Sequence, residues 1–240
     1  AWSYEIGAKT DLFDDRVYLE LALFYIDWTD QQLNVAQTFT NTDGDPDSTT
    51  VTTNLGNTEI SGVEIVANWQ VFEDLSATLT WGYTDAEIQT GCDAEYGEFF
   101  GVSPECEALG VPGGGSLAGN TVPNSPENSV NLTLDYTRPI NPDLDVFIRG
   151  DYQFESTRYA TPFNLAETGD MSRVNLRAGF LTNNWRVTAW VKNLNDDDTV
   201  NAVIRLIDFD TFFTRRAFQA SLPRGRQYGL TVQYNFAGFR

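Results

Sequence analysis

The chain contains no histidine, only two cysteines and a single methionine. Without His the commonest general base and metal ligand are both missing, and two thiols alone make no metal site. There is no G-x-S-x-G elbow and no glycine-rich phosphate loop opening a helix. Glu95, Glu98, Glu105 and Glu107 share a loop without forming an acid/base pair. The sequence therefore predicts neither an enzyme nor a bound cofactor. Basic residues are also scarce, 15 against 34 acidic ones, giving a net charge of −19. A nucleic-acid partner needs a basic face, and none is available. No apolar run approaches the ~18 residues of a membrane-crossing helix. The chain opens at Ala1-Trp2-Ser3-Tyr4 in strand-like sequence with no signal peptide, and so predicts a true N-terminus further upstream.

What is present is alternation. From Gln227 to Phe236, Tyr228, Leu230, Val232, Tyr234 and Phe236 share one face, and the residues between them are polar or Gly. That is a period-2 strand signal. The same pattern recurs in 75–84, 130–137, 144–155 and 174–181, with Phe147 as an exception on the polar face of its strand. Noisier strands are read at 2–10, 15–39, 57–70 and 184–195, making nine. The connections alternate between short (11–14, 71–74, 138–143, 182–184) and long (40–56, 88–126, 156–170, 196–223). Short turns at one end and long loops at the other are the plan of a transmembrane β-barrel. Segments of 12–14 residues suit tilted strands that need ~9–11 to cross the hydrocarbon. Aromatics gather toward strand ends, among them Trp28, Trp69, Tyr83, Tyr136, Tyr152 and Phe236, as in an interfacial girdle. A one-residue slip would expose Arg149 to lipid, at ~2–4 kcal/mol near mid-bilayer.

Cys92 and Cys106 lie in one Gly- and Pro-rich stretch. In an oxidising compartment they are expected to form a loop disulfide, the alternative being two unrelated thiols. The acidic run Asp43-Gly44-Asp45-Pro46-Asp47 lacks the bidentate Glu that a calcium loop requires at its twelfth position.

Five segments, in order and spacing, resemble the C-terminal barrel of TonB-dependent receptors. They are YEIGAKTDLFDDRVYLELALFYIDWTDQ (4–31), NLGNTEISGVEIVANW (54–69), NTVPNSPENSVNLTLDY (120–136), WRVTAWVKNLNDDDT (185–199) and RGRQYGLTVQYNF (224–236). The corner Asn193-Leu194-Asn195-Asp196 is similar to the family's asparagine-leucine turn. The resemblance implies an all-β, antiparallel up-and-down barrel, of which residues 1–240 supply the last nine of 22 strands as a curved open sheet. The plug domain, the N-terminal barrel strands and the peptide that meets the TonB complex would lie upstream. It implies an outer-membrane receptor importing a scarce ligand: an iron–siderophore complex, cobalamin or an oligosaccharide. The long loops would be extracellular and the C-terminus periplasmic. Candidate ligand contacts are Arg158 and Tyr159 in one loop and Arg205, Arg215 and Arg216 in the last, where cations could attract an anionic chelate. The competing reading pairs them with Asp208, Asp210 or lipid phosphates. The last strand, through Gln227, Gly229, Val232, Tyr234 and Phe236, resembles the signal read by the barrel-assembly machinery, although the tail Ala237-Gly238-Phe239-Arg240 departs from the family's usual stop at the aromatic. A passive porin and a soluble carbohydrate-binding β domain are the other two readings.

Overall fold

The computed structural model describes residues 1–44, 46–207 and 216–237. Nine strands form one antiparallel sheet in chain order: β1 (Trp2–Leu12), β2 (Val17–Thr40), β3 (Pro46–Phe72), β4 (Leu75–Asp93), β6 (Asn128–Asn141), β7 (Leu144–Glu155), β8 (Met171–Thr182), β9 (Trp185–Lys192) and β12 (Gln227–Tyr234). The sheet is open and curved, with β1 and β12 at its edges. The short β5 (Gly115–Ser116) pairs with the end of β4, while β10 (Ala202–Ile207) and β11 (Arg216–Ser221) form a separate antiparallel pair. Two helices, α1 (Ala94–Phe100) and α2 (Pro104–Ala108), follow β4.

Neighbouring strands meet through short turns at one end, at 13–16, 73–74, 142–143 and 183–184. Three of the four connections at the other end are long. The expected long loop over 40–56 is not one. β2 and β3 stay paired from Val17–Trp69 out to Thr40–Pro46, leaving only 41–45 between them. The segment is rich in Thr, whose branched side chain favours a pleated surface. Register shifts at Trp28/Gln31 and at Asn57/Thr58 mark where this hairpin leaves the main sheet. At that level Gln31 and Thr58 are buried and hydrogen-bonded to each other. The acidic tip expected from sequence falls on this connection, and Asp45 lies outside the described residues. Two terminal segments are also shorter than the sequence pattern suggested, with β9 and β12 eight residues each.

The two faces of the sheet differ as the alternation requires. One carries large exposed apolar side chains, among them Leu23, Leu134, Ile148, Leu176, Leu230 and Val232. The other carries ions. Arg149 and Arg177 stand directly opposite across β7 and β8, a pairing that alone is unfavourable. Asp151 resolves it, accepting from Arg149 Nε at 3.0 Å, Arg177 Nη2 at 2.9 Å and Thr133 Oγ1 at 3.0 Å. Asp135 adds a second carboxylate 3.5 Å from Arg149.

Phe147, the exception to the alternation, faces Gly179 across the strand pair. Phe24 faces Gly62 and Trp190 faces Gly229 in the same way. A Cβ at Gly62 or Gly229 would run into the ring opposite, and at Gly179 it would overlap Val187 O and crowd the Phe147 ring. An aromatic laid over a cross-strand glycine fills the gap and pins the register.

The dry core lies at one end of the sheet, where β4 runs into the loops. Among the described residues, the buried apolar ones, Ala86, Ile88, Cys92, Cys106, Leu117 and Phe163, all lie at the long-loop end or in the loops themselves. Ile88, Leu117 and Phe163 form a cluster against which Tyr96 and Val122 pack. Asn164 clips two loops together. Its Oδ1 accepts from Thr121 N at 2.7 Å, and its Nδ2 donates to Thr121 O at 3.0 Å. Asp93 caps α1, its Oδ1 accepting from Tyr96 N at 2.9 Å. Burial holds the Asp93 carboxyl above the ordinary carboxylate range, against the pull of the Tyr96 and Glu95 amides.

Two outcomes are expected. Gly229→Val should displace Trp190 and cost about 1–3 kcal/mol. Gly82→Val, at a site with no heavy atom within 4 Å of the added Cβ, should change stability by less than about 0.5 kcal/mol. Urea midpoints in detergent and Trp fluorescence compare the two. For Asp93, a raised folded-state value means that the native loop takes up a proton more readily than the unfolded one. The loop should therefore gain protection as pH falls from neutral through the folded pKa, reaching the full gain below the unfolded value. Asp93→Asn keeps an equally good cap and should be more protected than wild type at pH 7 and insensitive to pH, as read by hydrogen exchange over 93–117.

Candidate functional site

Three of the long connections close into one body over the end of the sheet. The 94–127 segment supplies α1, α2 and β5. α1 lies so close to the 113–115 backbone that a Cβ at Gly97 would overlap it. Cys92 at the end of β4 and Cys106 in α2 are bonded, with S–S 2.08 Å and Cα–Cα 5.5 Å, tying the helical pair to the sheet. A closure of this size is worth on the order of 3 kcal/mol.

The described ligand-contact candidates take part in joining these loops. Arg158 Nη2 donates to Asn201 O at 2.8 Å and lies 3.5 Å from Glu155, so it links the 156–170 segment to the start of β10. Tyr159 O accepts from Asn124 N at 2.9 Å, and Tyr159 bridges Glu167. Arg205 on β10 forms an ion pair with Glu95 on α1. Their ion-pair partners among the described residues are Glu155 and Glu95; Asp208, Asp210 and Arg215 lie outside the described residues. Arg216 opens β11 opposite Ile207, and its side chain is also outside the described set. Arg158 and Arg205 make separate polar contacts, one to Asn201 O and one to Glu95. Each belongs to a different seam of the same loop body.

The asparagine-leucine corner is a further seam. Asn193 is buried; its Oδ1 accepts from Asp197 N at 2.8 Å, and its Nδ2 donates to Asp197 O at 2.8 Å. Asp197 Oδ2 in turn accepts from Ser172 N at 2.8 Å. Sequence reading recognised the corner but not its partners, nor the core of Ile88, Leu117 and Phe163. The one signal for that core was an apolar residue at isolated places in stretches otherwise read as loop.

On the polar face, one open cleft is lined by Asp135, Thr137, Phe147, Arg149 and Arg186, and its neighbour by Asn175, Arg177, Trp190, Lys192 and Thr231. Lys192 Nζ lies 5.5 Å from the Trp190 ring centroid. Among the described residues, no group of three His, Cys, Asp or Glu is placed to hold a metal ion. In the last strand, Gln227 and Gly229 lie on the polar side with Trp190. Val232 and Tyr234 lie on the apolar side, where Tyr234 packs on Trp185 at 4.7 Å and on Phe236 at 4.9 Å. Phe236 is 92% exposed.

No curated protein matches the chain. Solved structures do, at low identity. The ferric yersiniabactin uptake receptor FyuA from Yersinia pestis superposes with a TM-score of 0.69 at 17% identity, over 98% of this chain and 29% of that one. The siderophore receptor PiuA from Acinetobacter baumannii gives 0.64 at 18%, over 97% and 28%. The copper transporter OprC gives 0.61 at 16%, over 98% and 30%. The chain thus spans less than a third of the length of each. These likenesses establish the fold. The pattern of the family described as TonB dependent receptor-like, beta-barrel matches residues 1–194, and the chain belongs to that family.

Proposed function

We propose that residues 1–240 form the C-terminal nine strands of a larger outer-membrane barrel that binds a scarce ligand and imports it with TonB-transmitted energy. The observation that carries this reading is the inverted placement of apolar residues. The sheet keeps its large apolar side chains on an exposed face, while the buried ones sit at the loop end. An apolar face of that extent on a soluble protein would be an aggregation surface; hydrocarbon is the solvent that suits it. A soluble carbohydrate-binding domain has no use for it. The open edges at β1 and β12 are served by further strands of the same protein, which would also hold the plug and the segment that meets TonB. On this arrangement the short turns and the C-terminus face the periplasm and the knitted loops face outward. FyuA is named as a ferric yersiniabactin uptake receptor and PiuA as a siderophore receptor, which makes a ferric siderophore the first ligand to test, ahead of cobalamin or an oligosaccharide. Gln227, Gly229, Val232, Tyr234 and Phe236 present the terminal strand to the assembly machinery. Arg158, Tyr159 and Arg205 act on the ligand indirectly, by fixing the loops that meet it.

Deleting the gene should abolish growth on one ferric siderophore of a panel under iron limitation. Loss of TonB should give the same phenotype. Growth or uptake that persists without TonB would mean a passive pore instead. Phe236→Ser should lower the amount of folded barrel in the outer membrane, measured by heat-modifiable mobility, without changing uptake per folded molecule.

A further inference from the structure

The net charge of this chain is confined to one part of it. Between Arg16 and Arg138 there is no Lys or Arg, and there are 19 Asp and Glu. Outside that stretch the other 15 acids are balanced by all 15 bases. The whole net charge of −19 therefore belongs to residues 17–137, which include the disulfide-tied helical pair.

That pair also carries apolar surface. Phe99, Phe100, Val102 and Leu109 are 53–63% exposed. They sit on α1, on its exit and at the end of α2, with the exposed carboxylates Glu98, Glu105 and Glu107 among them. The aromatic part is held rigidly. Phe100 stacks on Tyr96 at 4.4 Å, and Tyr96 packs on buried Phe163 at 5.4 Å, so the stack runs from the core to the surface. Below it the Cys92–Cys106 bond and the Gly97 contact fix the platform. Aromatics already locked in place lose little freedom on binding and make good anchors.

We propose that this platform is a docking surface for a cationic polypeptide segment bearing apolar or aromatic side chains. The carboxylates supply steering and the Phe100 stack supplies the anchor. A small molecule is a poor fit, because such ligands bind in concave sites; the clefts of the polar face are lined by other residues. A second copy of the chain is a poor fit too, because it would bring a like-charged surface against this one.

The test uses the full-length receptor in phosphatidylcholine nanodiscs. The probe is a fluorescent amphipathic peptide of Lys, Leu and Trp, compared with the same peptide carrying Glu for every Lys, and empty nanodiscs give the baseline. The Lys peptide should bind above baseline, more weakly as salt rises, and the Glu peptide should not. Phe99→Ser with Phe100→Ser should weaken binding about tenfold. Glu98→Gln with Glu105→Gln and Glu107→Gln should do the same and flatten the salt dependence. Hydrogen exchange at Ile88 and Leu117 checks that the fold survives, and Leu109→Ser replaces the Phe pair if it does not. The proposal is overturned if neither variant set changes binding, or if both peptides bind alike. It is equally overturned if the Phe pair is shielded in the intact receptor, or if its loss instead dissolves a dimer of the receptor.

Discussion

Everything in this sheet depends on the antiparallel ladder keeping its register. A strand that slips by one residue exchanges its two faces. Here that would turn Arg149, Asp151 and Arg177 outward and bring Leu134, Ile148 and Leu176 inward. Register is held by several independent devices: two-residue turns, an ion cluster centred on Asp151, and three glycines each covered by an aromatic ring. None of these is a hydrophobic core. A sheet with one face in lipid gains little from apolar contact within itself, so backbone pairing and polar-face geometry must specify the structure.

The loop end works by the opposite rule. There the backbone is irregular, and order comes from a small dry cluster, a disulfide and side-chain clips to backbone. Asn164 holding Thr121 and Asn193 holding Asp197 both close two bonds with one amide side chain. The result is a division of labour between a ladder that sets position and a packed cap that presents surface. Loops carried on a rigid scaffold are where binding is usually found.

The strands were legible because period-2 alternation leaves a local trace. Tyr228, Leu230, Val232 and Tyr234 declare their face without knowledge of any partner. The gathering of short turns at one end of the sheet was legible too, from the spacing of the strands. Features made by distant residues were not. The extension of β3 back to Pro46 is a cross-strand property, and 40–56 alone reads as a Thr- and Asn-rich loop. Ile88, Leu117 and Phe163 are far apart in sequence and meet only after the loops fold. The exception at Phe147 becomes intelligible only once Gly179 is known to lie opposite. Arg158 and Arg205 were legible as loop cations, but their partners Glu155 and Glu95 depend on which loop lies against which.

The seams between loops carry a consequence for how such a protein can change. Arg205 reaches Glu95 across 110 positions, and Asn164 reaches Thr121 across 43. A loop exchanged singly with that of a relative would lose its half of each seam and expose the Ile88 cluster. Swapped as a set, the three loops would bring their own joints with them. The unit that can be exchanged in this fold is therefore the cap rather than the loop, and chimeras that respect that boundary are the ones that should still fold.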